Sequence, residues 1–149
     1  MDKIDKFIGN KVVYSNEHIS YDYRNSKKVK QNVILIYGDN ELSNLVKTYC
    51  DSKKYLYESI TEANYISTED KYICLFALSY SDADNLMISS IGFKIYSIPH
   101  IIGLCNGYDN LKIYNDFNFN NVLIYDDIDK LFNIIKGLVE NAVRNKDKI

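Results

Sequence analysis

Residues 32–46 read NVILIYGDNELSNLV, and they place a strand, a turn and a helix in immediate succession. Val33–Tyr37 is a continuous apolar run without alternation, which is typical of a strand buried on both faces. Gly38 closes this run, and apolar residues then recur at helical spacing over residues 41–52. A buried strand that leads directly into a helix predicts the start of a βαβ unit in a parallel sheet.

The same alternation of strand and helix continues along the chain. Apolar runs predict further strands over residues 55–57, 72–78, 93–98 and 122–125, and helical periodicity predicts helices over 82–91 and 128–143. Residues 61–70 are polar with one helical turn, and a helical turn followed by a loop is expected over 100–110. Residues 32–149 are therefore predicted to form a single Rossmann-like or flavodoxin-like α/β domain. It has about five mostly parallel strands with helices on both faces.

The first 31 residues differ from this pattern. Residues 11–14 and 19–23 carry β-branched and aromatic side chains and predict a hairpin or extended arm, and residues 24–30 form a polar, basic connector. An isolated hairpin is only marginally stable in water, so the arm must dock on its own domain, on a sheet edge or on another subunit. We expect a homodimer with residues 11–23 in the interface.

Composition limits the classes of function. The chain has 149 residues, of which 46% are apolar and 26% charged, as is usual for one globular domain. A formal net charge of −2 makes a nucleic-acid partner unlikely. No apolar run approaches the ~20 residues of a membrane span, and the N-terminus lacks a secretory signal, so a cytoplasmic location is expected.

The three cysteines are single and widely spaced, at Cys50, Cys74 and Cys105. An odd number without a C-x-x-C pair argues against a disulfide framework and against a zinc site. Cys105 lies between two nearby glycines and is expected to be the most exposed of the three.

The first candidate site is the loop after the first buried strand. A dinucleotide fold carries G-x-G-x-x-G there, but this chain keeps only Gly38 and has Asn40 and Ser43 at the second and third glycine positions. Two interpretations remain open: the loop holds a phosphate, or Asp39 or Asn40 caps the helix. Glu58 follows Gly38 by 20 residues, which is the spacing of the ribose-binding acid in such folds.

The loop after the third predicted strand carries a family resemblance. Residues 75–86 read LFALSYSDADNL: a small residue after the strand, a short acidic stretch and an Asn-Leu pair that opens the helix. This pattern resembles the N-terminal nucleotide-binding domain of potassium-transport regulators, the regulator-of-potassium-conductance class, over residues 32–98. The motifs are of low specificity, and the missing loop glycines are a departure from that family.

The resemblance implies a ligand and a set of residues that contact it. The ligand would be NAD or another dinucleotide, or an adenine nucleotide. Gly38 would be the turn glycine, Glu58 the ribose acid, and Ser79 and Asp82 the wall of the nucleotide cleft. The alternative for the last loop is structural, with Ser81 or Asp82 capping the helix.

His100 follows the predicted fourth strand and could face the same cleft, or it could be a structural residue. The sequence shows no nucleophile–base pair, no Walker loop and no metal-ligand cluster. It therefore favours a small non-catalytic regulatory or ligand-binding domain. Two alternatives remain: an enzyme or enzyme subunit acting on a nucleotide or phosphorylated small molecule, and a scaffold that has lost ligand binding.

Overall fold

The computed structural model describes residues 12–13, 19–22, 27–67 and 69–145. The strands and helices found there are β1 (Val12–Val13), β2 (Ile19–Asp22), β3 (Lys27–Lys30), β4 (Val33–Tyr37), α1 (Glu41–Lys53), β5 (Tyr57–Ile60), β6 (Tyr72–Ala77), α2 (Asp82–Lys94), β7 (Ile101–Cys105), α3 (Leu111–Asn115), β8 (Asn121–Ile124) and α4 (Ile128–Arg144). Short 3₁₀ turns lie at Ala63–Tyr65 and Tyr108–Asn110.

The main sheet has six strands in the order β1-β5-β4-β6-β7-β8. The last five of these strands, from β5 to β8, are parallel to one another, and β1 pairs antiparallel with β5 at the edge. Chain order reverses between β4 and β6, because β5 lies on one side of β4 and β6 on the other. The predicted parallel α/β fold is confirmed, and the reversal marks where such folds place ligands.

Helices cover both faces of the sheet. On one face α1 and α4 pack against side chains that include Ile36, Phe76 and Leu104. On the other face α2 packs against side chains that include Leu35 and Leu75. The strands β4, β6 and β7 are buried along their whole length, as the unbroken apolar runs of β4 and β6 predict.

The predicted fourth strand over residues 93–98 is wrong. Helix α2 continues through Gly92 to Lys94, and the strand is β7, which begins at Ile101. Gly92 does not stop the helix but faces the sheet, where an added Cβ would lie 2.9 Å from the Leu75 side chain. The helical turn expected near residues 101–104 is likewise wrong. Cys105 closes this strand and is fully buried rather than exposed.

The N-terminal residues divide between two sheets. Of the predicted arm, β1 extends the main sheet, and Val12 pairs with Ser59. The hairpin is instead formed by β2 and β3, so the second half of the expected basic connector is a strand. Residues 1–11, 14–18 and 23–26, on which much of the arm prediction falls, lie outside the described residues.

Candidate functional site

The loops after β4 and β6 meet where the chain order reverses. Gly38 has φ of +133°, a conformation that side chains other than glycine rarely adopt. A Cβ on Gly38 would lie 3.0 Å from the carbonyl carbon of Leu78, and the Leu78 N–H donates to the Tyr37 carbonyl at 2.8 Å. The tight turn predicted at Gly38 is therefore present, and it packs directly against the second loop.

The chain itself occupies the first turn of α1. The Asn40 side chain accepts from the Ser43 N–H at 2.9 Å, and the Ser43 hydroxyl accepts from the Asn40 N–H at 2.9 Å. The Asn40 amide also donates to the Leu78 carbonyl at 2.8 Å. The hydroxyl of Tyr80 lies beside the N–H of Leu42, which lowers the pKa of Tyr80. These are N–H groups that a bound phosphate would use, so the geometry matches the capping interpretation of this loop.

Tyr80 forms an aromatic pair with Tyr125, which follows β8. The rings meet edge to face with centroids 5.5 Å apart. Burial and then the neighbouring Tyr125 raise the pKa of Tyr80, while the N–H of Leu42 lowers it. Tyr80 nevertheless keeps 44% of its surface exposed and Tyr125 keeps 42%, so solvent reaches the pair.

Asp82 ties the loop after β6 to the segment after β7. Its carboxylate accepts hydrogen bonds from the N–H groups of Asn106 (2.7 Å) and Gly107 (3.0 Å), the Asn110 amide (2.6 Å) and the Tyr114 hydroxyl (2.7 Å). Burial raises the pKa of this carboxyl, but these donors outweigh burial and hold the pKa at about 2. Ser81, one of the two predicted candidates, is the residue that caps α2.

Ser79 is engaged through its backbone. Its N–H donates to the Asn85 side chain at 2.9 Å, and its carbonyl accepts from the Asn85 amide at 2.8 Å and the Asn106 amide at 2.9 Å. Asn85 is fully buried and also donates to the Leu104 carbonyl at 2.8 Å. The sequence analysis did not single out Asn85. Its spacing of three and seven residues from Ile88 and Gly92 puts all three on one face of α2, and a polar residue on the face that packs on the sheet indicates a buried hydrogen-bonding role.

Glu58 does not lie at the carboxyl edge. It is inside β5 with a fully buried side chain, 2.8 Å from the Lys30 ammonium. The Tyr72 hydroxyl donates to Glu58 at 2.8 Å, and Asp70 lies 3.3 Å from the same ammonium. Burial and the charge of Glu58 raise the pKa of Tyr72. The expected position of Glu58 at a strand end is thus corrected, because the second parallel strand begins two residues later than predicted.

His100 lies at the opposite edge of the sheet from the predicted cleft. It precedes β7, and its carbonyl accepts from the Leu75 N–H at 2.8 Å. Five of the seven predicted residues, Gly38, Asp39, Asn40, Ser79 and Asp82, do come together at the carboxyl edge.

The carboxyl edge is acidic. Asp39, Glu41, Glu62 and Asp84 are all exposed in the loops or first turns that follow β4, β5 and β6. Burial, then the charges of Asp84 and Glu62, raise the pKa of Tyr37 at the end of β4. This negative potential opposes the approach of phosphates.

Comparison with known proteins identifies the fold. The chain resembles the crystal structure of the GsuK RCK domain with a TM-score of 0.50 and 15% sequence identity. The match covers 74% of this chain but 28% of that one, so the likeness concerns about a quarter of the longer chain. The predicted resemblance to regulators of potassium conductance is thereby confirmed as a likeness of fold.

No family model matches the chain, and no curated protein matches it. Among residues 12–13, 19–22, 27–67 and 69–145, no helix is long and apolar enough to cross a membrane.

Proposed function

We propose that this chain is a catalytically silent regulatory domain whose carboxyl edge acts as a scaffold and no longer binds dinucleotide phosphates. One observation carries the proposal: Asn40 and Ser43 engage each other's N–H groups at the start of α1, and the Tyr80 hydroxyl lies beside the N–H of Leu42. A phosphate would have to displace all of these hydrogen bonds to reach the helix N-terminus. The regulatory role is inferred from the likeness to the RCK domain of GsuK.

The acidic surroundings support the same conclusion. A nucleotide phosphate at this edge would meet Asp39 and Glu41 beside α1 and Asp84 in the first turn of α2. We find no Lys or Arg between residues 38 and 43 or between 78 and 86 to offset that charge. Binding of a polyphosphate would therefore be opposed electrostatically as well as sterically.

Asp82 and His100 are poorly placed to act as a general base at this edge. Hydrogen-bond donors of the chain itself hold Asp82 in its ionised form, which leaves its carboxylate little capacity to accept a proton near neutral pH. His100, the histidine that could have served, lies at the other edge. The enzyme alternative therefore gains no acid–base pair from Asp82 and His100.

Nucleotide binding is the second candidate, and the exposure of Tyr80 favours it. Rotation of this half-exposed side chain would uncover the N–H of Leu42 in the first turn of α1. NAD or an adenine nucleotide would then contact Gly38, Asp39 and Asn40 along one side and Ser79 along the other.

A ligand panel separates the two candidates. Thermal unfolding is measured with NAD, NADH, ATP, ADP, AMP and cyclic dinucleotides for the wild type, Tyr80→Ala and a matched control, Tyr108→Ala, on the neighbouring exposed loop. We expect no shift in any of the three proteins. A ligand present at 100 times its Kd stabilises by about 2.7 kcal/mol, so binding would be visible. A shift in the wild type that Tyr80→Ala changes and Tyr108→Ala does not, or a shift in Tyr80→Ala alone, would overturn the scaffold proposal in favour of a nucleotide site.

We further place the protein in the cytoplasm as a homodimer through its N-terminal arm. Strand β1 lies at the edge of its own sheet beside β5, and such an edge strand can exchange between two identical chains. Light scattering at tens of micromolar, a range that detects weak dimers at about micromolar Kd, tests the dimer. We expect a dimer for the full chain and a monomer or aggregate for residues 27–149, which keep Lys30. A monomeric full chain would refute it.

A further inference from the structure

A cavity of about 210 Å³ lies at the amino edge of the sheet, between β7, β8 and the last turns of α4. His100, Asn121, Asn141 and Asn145 supply its polar lining, and Ile102 and Leu138 supply apolar surface. It is separate from the carboxyl edge, since His100 precedes β7 and the carboxyl-edge loop follows that strand.

Most of the polar groups around this cavity face solvent or the cavity, and Asn121 and Asn141 are exposed. Within the part of the chain that the structure describes, the side chains of His100, Asn121 and Asn145 make no hydrogen bond, whereas Asn141 accepts one from Arg144. Each free amide offers both a donor and an acceptor, and the imidazole offers a ring nitrogen. Several free polar groups around an apolar surface are the usual chemistry of a small-molecule site.

The lining selects the charge of a ligand. It contains no Asp, Glu, Lys or Arg, and Arg144, which donates to Asn141, is not one of the lining residues. The C-terminal end of α4 lies at this cavity, and Asn145 is its cap. The partial negative charge of a helix C-terminus disfavours anions further. An uncharged ligand is thus favoured over a phosphate or carboxylate.

The lining also selects the shape of a ligand. The amide of an asparagine side chain can form two hydrogen bonds at once to a ligand that carries a donor and an acceptor side by side, as adenine does. The ring of a histidine can stack on the face of such a base. A water occupies about 30 Å³ in the liquid, so the cavity holds the equivalent of roughly seven waters, enough for a single heterocycle.

We propose that the cavity formed by His100, Asn121, Asn141 and Asn145 binds an uncharged planar heterocycle with adjacent hydrogen-bond donor and acceptor, of the nucleobase or aromatic carboxamide class. This site does not depend on the function proposed for the carboxyl edge. A ligand this small binds weakly, with a Kd on the order of a millimolar.

NMR of the histidine side chains tests the proposal directly. The chain has two histidines, His18 and His100, and His100→Gln assigns their signals. The full-length protein is titrated with adenine, cytosine and nicotinamide to about 10 mM, a concentration above the Kd expected for a fragment. Benzoate serves as a planar anion of similar size. We expect the His100 signals to shift and saturate with at least one of the three neutral probes, and not with benzoate.

Paired variants separate this site from nonspecific contact. Asn121→Leu should weaken the binding at least tenfold, because it removes one amide from the lining. Asn133→Leu, an exposed Asn on α4 that does not line the cavity, should leave it unchanged. Thermal unfolding confirms that both variants are folded. The proposal is overturned if no probe shifts His100, if benzoate binds equally well, or if Asn121→Leu binds like the wild type.

The readouts keep the two proposals apart. A nucleotide bound at the carboxyl edge would raise the melting temperature and respond to Tyr80→Ala without requiring a change at His100. A base bound in the amino-edge cavity would shift His100 and respond to Asn121→Leu.

Discussion

The two edges of the parallel sheet use asparagine in opposite ways. At the carboxyl edge, Asn40, Asn85 and Asn106 direct their amides into the chain's own backbone. At the amino edge, Asn121 and Asn145 line a cavity, and their side chains make no hydrogen bond to a described residue. At the carboxyl edge, where parallel α/β folds bind ligands, these Asn side chains are hydrogen-bonded within the chain. At the amino edge, the side chains of Asn121 and Asn145 are not. Topology therefore indicates where ligands bind in related folds, but hydrogen-bond satisfaction decides which edge remains available in this chain.

The two sides of the amino edge also differ from each other in how their polar groups are paired. A substitution that tests this difference has the largest expected effect on the free energy of unfolding. Beside β5 and β6, Lys30, Glu58 and Asp70 form buried ion pairs, whereas beside β7 and β8 the cavity is open. Glu58→Ala should lower the free energy of unfolding by about 3–5 kcal/mol, because it leaves the Lys30 ammonium buried with one partner fewer. Urea unfolding measures the change.

Glu62→Ala is the matched control, since Glu62 is an exposed acid a few residues further along the chain. Its effect should stay within about 0.5 kcal/mol. If Glu58→Ala cost no more than the control, Glu58 would not be a buried ion-pair residue, and its assignment to a ligand site at the carboxyl edge would regain support.

The next effect tests how tightly the carboxyl edge is closed. Gly38→Val introduces a β-branched side chain where φ is +133° and where the new Cβ lies 3.0 Å from Leu78. We expect a loss of about 2–4 kcal/mol, from backbone strain together with displacement of the second loop. Thermal and urea unfolding report the loss.

Gly137→Ala provides the contrast within the same chain. Gly137 lies inside α4, and an added Cβ meets nothing within 4 Å. Alanine should stabilise the helix there by about 1 kcal/mol. An unchanged melting temperature for Gly38→Val would mean that the loops after β4 and β6 are not packed together as described.

Sequence reasoning succeeded where local pattern determines structure. The apolar run of β4, the turn at Gly38 and the amphipathic stripe of α4 need only neighbouring residues to form, and all were predicted. It failed where a boundary depends on packing. A shift of two residues at the start of β5 moves Glu58 from a loop into a buried strand, and the longer α2 moves the next strand beyond His100.

The polar network of the site was beyond sequence reasoning for a related reason. The partners of Asp82 lie 24 to 32 residues further along the chain, so no spacing rule links them. The abundance of asparagine gives no guidance either, because a capping, a buried and a cavity-lining Asn look alike in the sequence. Only the assembled sheet distinguishes Asn40 and Asn85 from Asn121.

The smallest expected effect tests whether the carboxyl edge depends on charge as well as shape. The pKa of Asp82 falls from 3.8 in the unfolded chain to about 2 in the folded one. A carboxyl whose folded pKa is depressed stabilises the fold fully above its unfolded pKa, and that contribution disappears as pH falls from about 3.8 through 2. Because Asp82 is only partly buried, we expect about 1–2 kcal/mol rather than the full value of the shift.

Asp82→Asn should therefore lower the free energy of unfolding by about 1–2 kcal/mol at pH 7, because the new amide directs donors at the N–H of Asn106 and at Gly107. The difference from the wild type should shrink between pH 4 and pH 2, where the wild type loses the same contribution. Asp84 is an exposed acid in the same helical turn, and Asp84→Asn should leave both the free energy of unfolding at pH 7 and its dependence on pH nearly unchanged. Urea unfolding across this pH range measures both effects. If the difference in the free energy of unfolding between Asp82→Asn and the wild type stayed constant down to pH 2, the charge of Asp82 would not stabilise the carboxyl edge. The two edges of the sheet would then differ in hydrogen bonding and not in their use of charge.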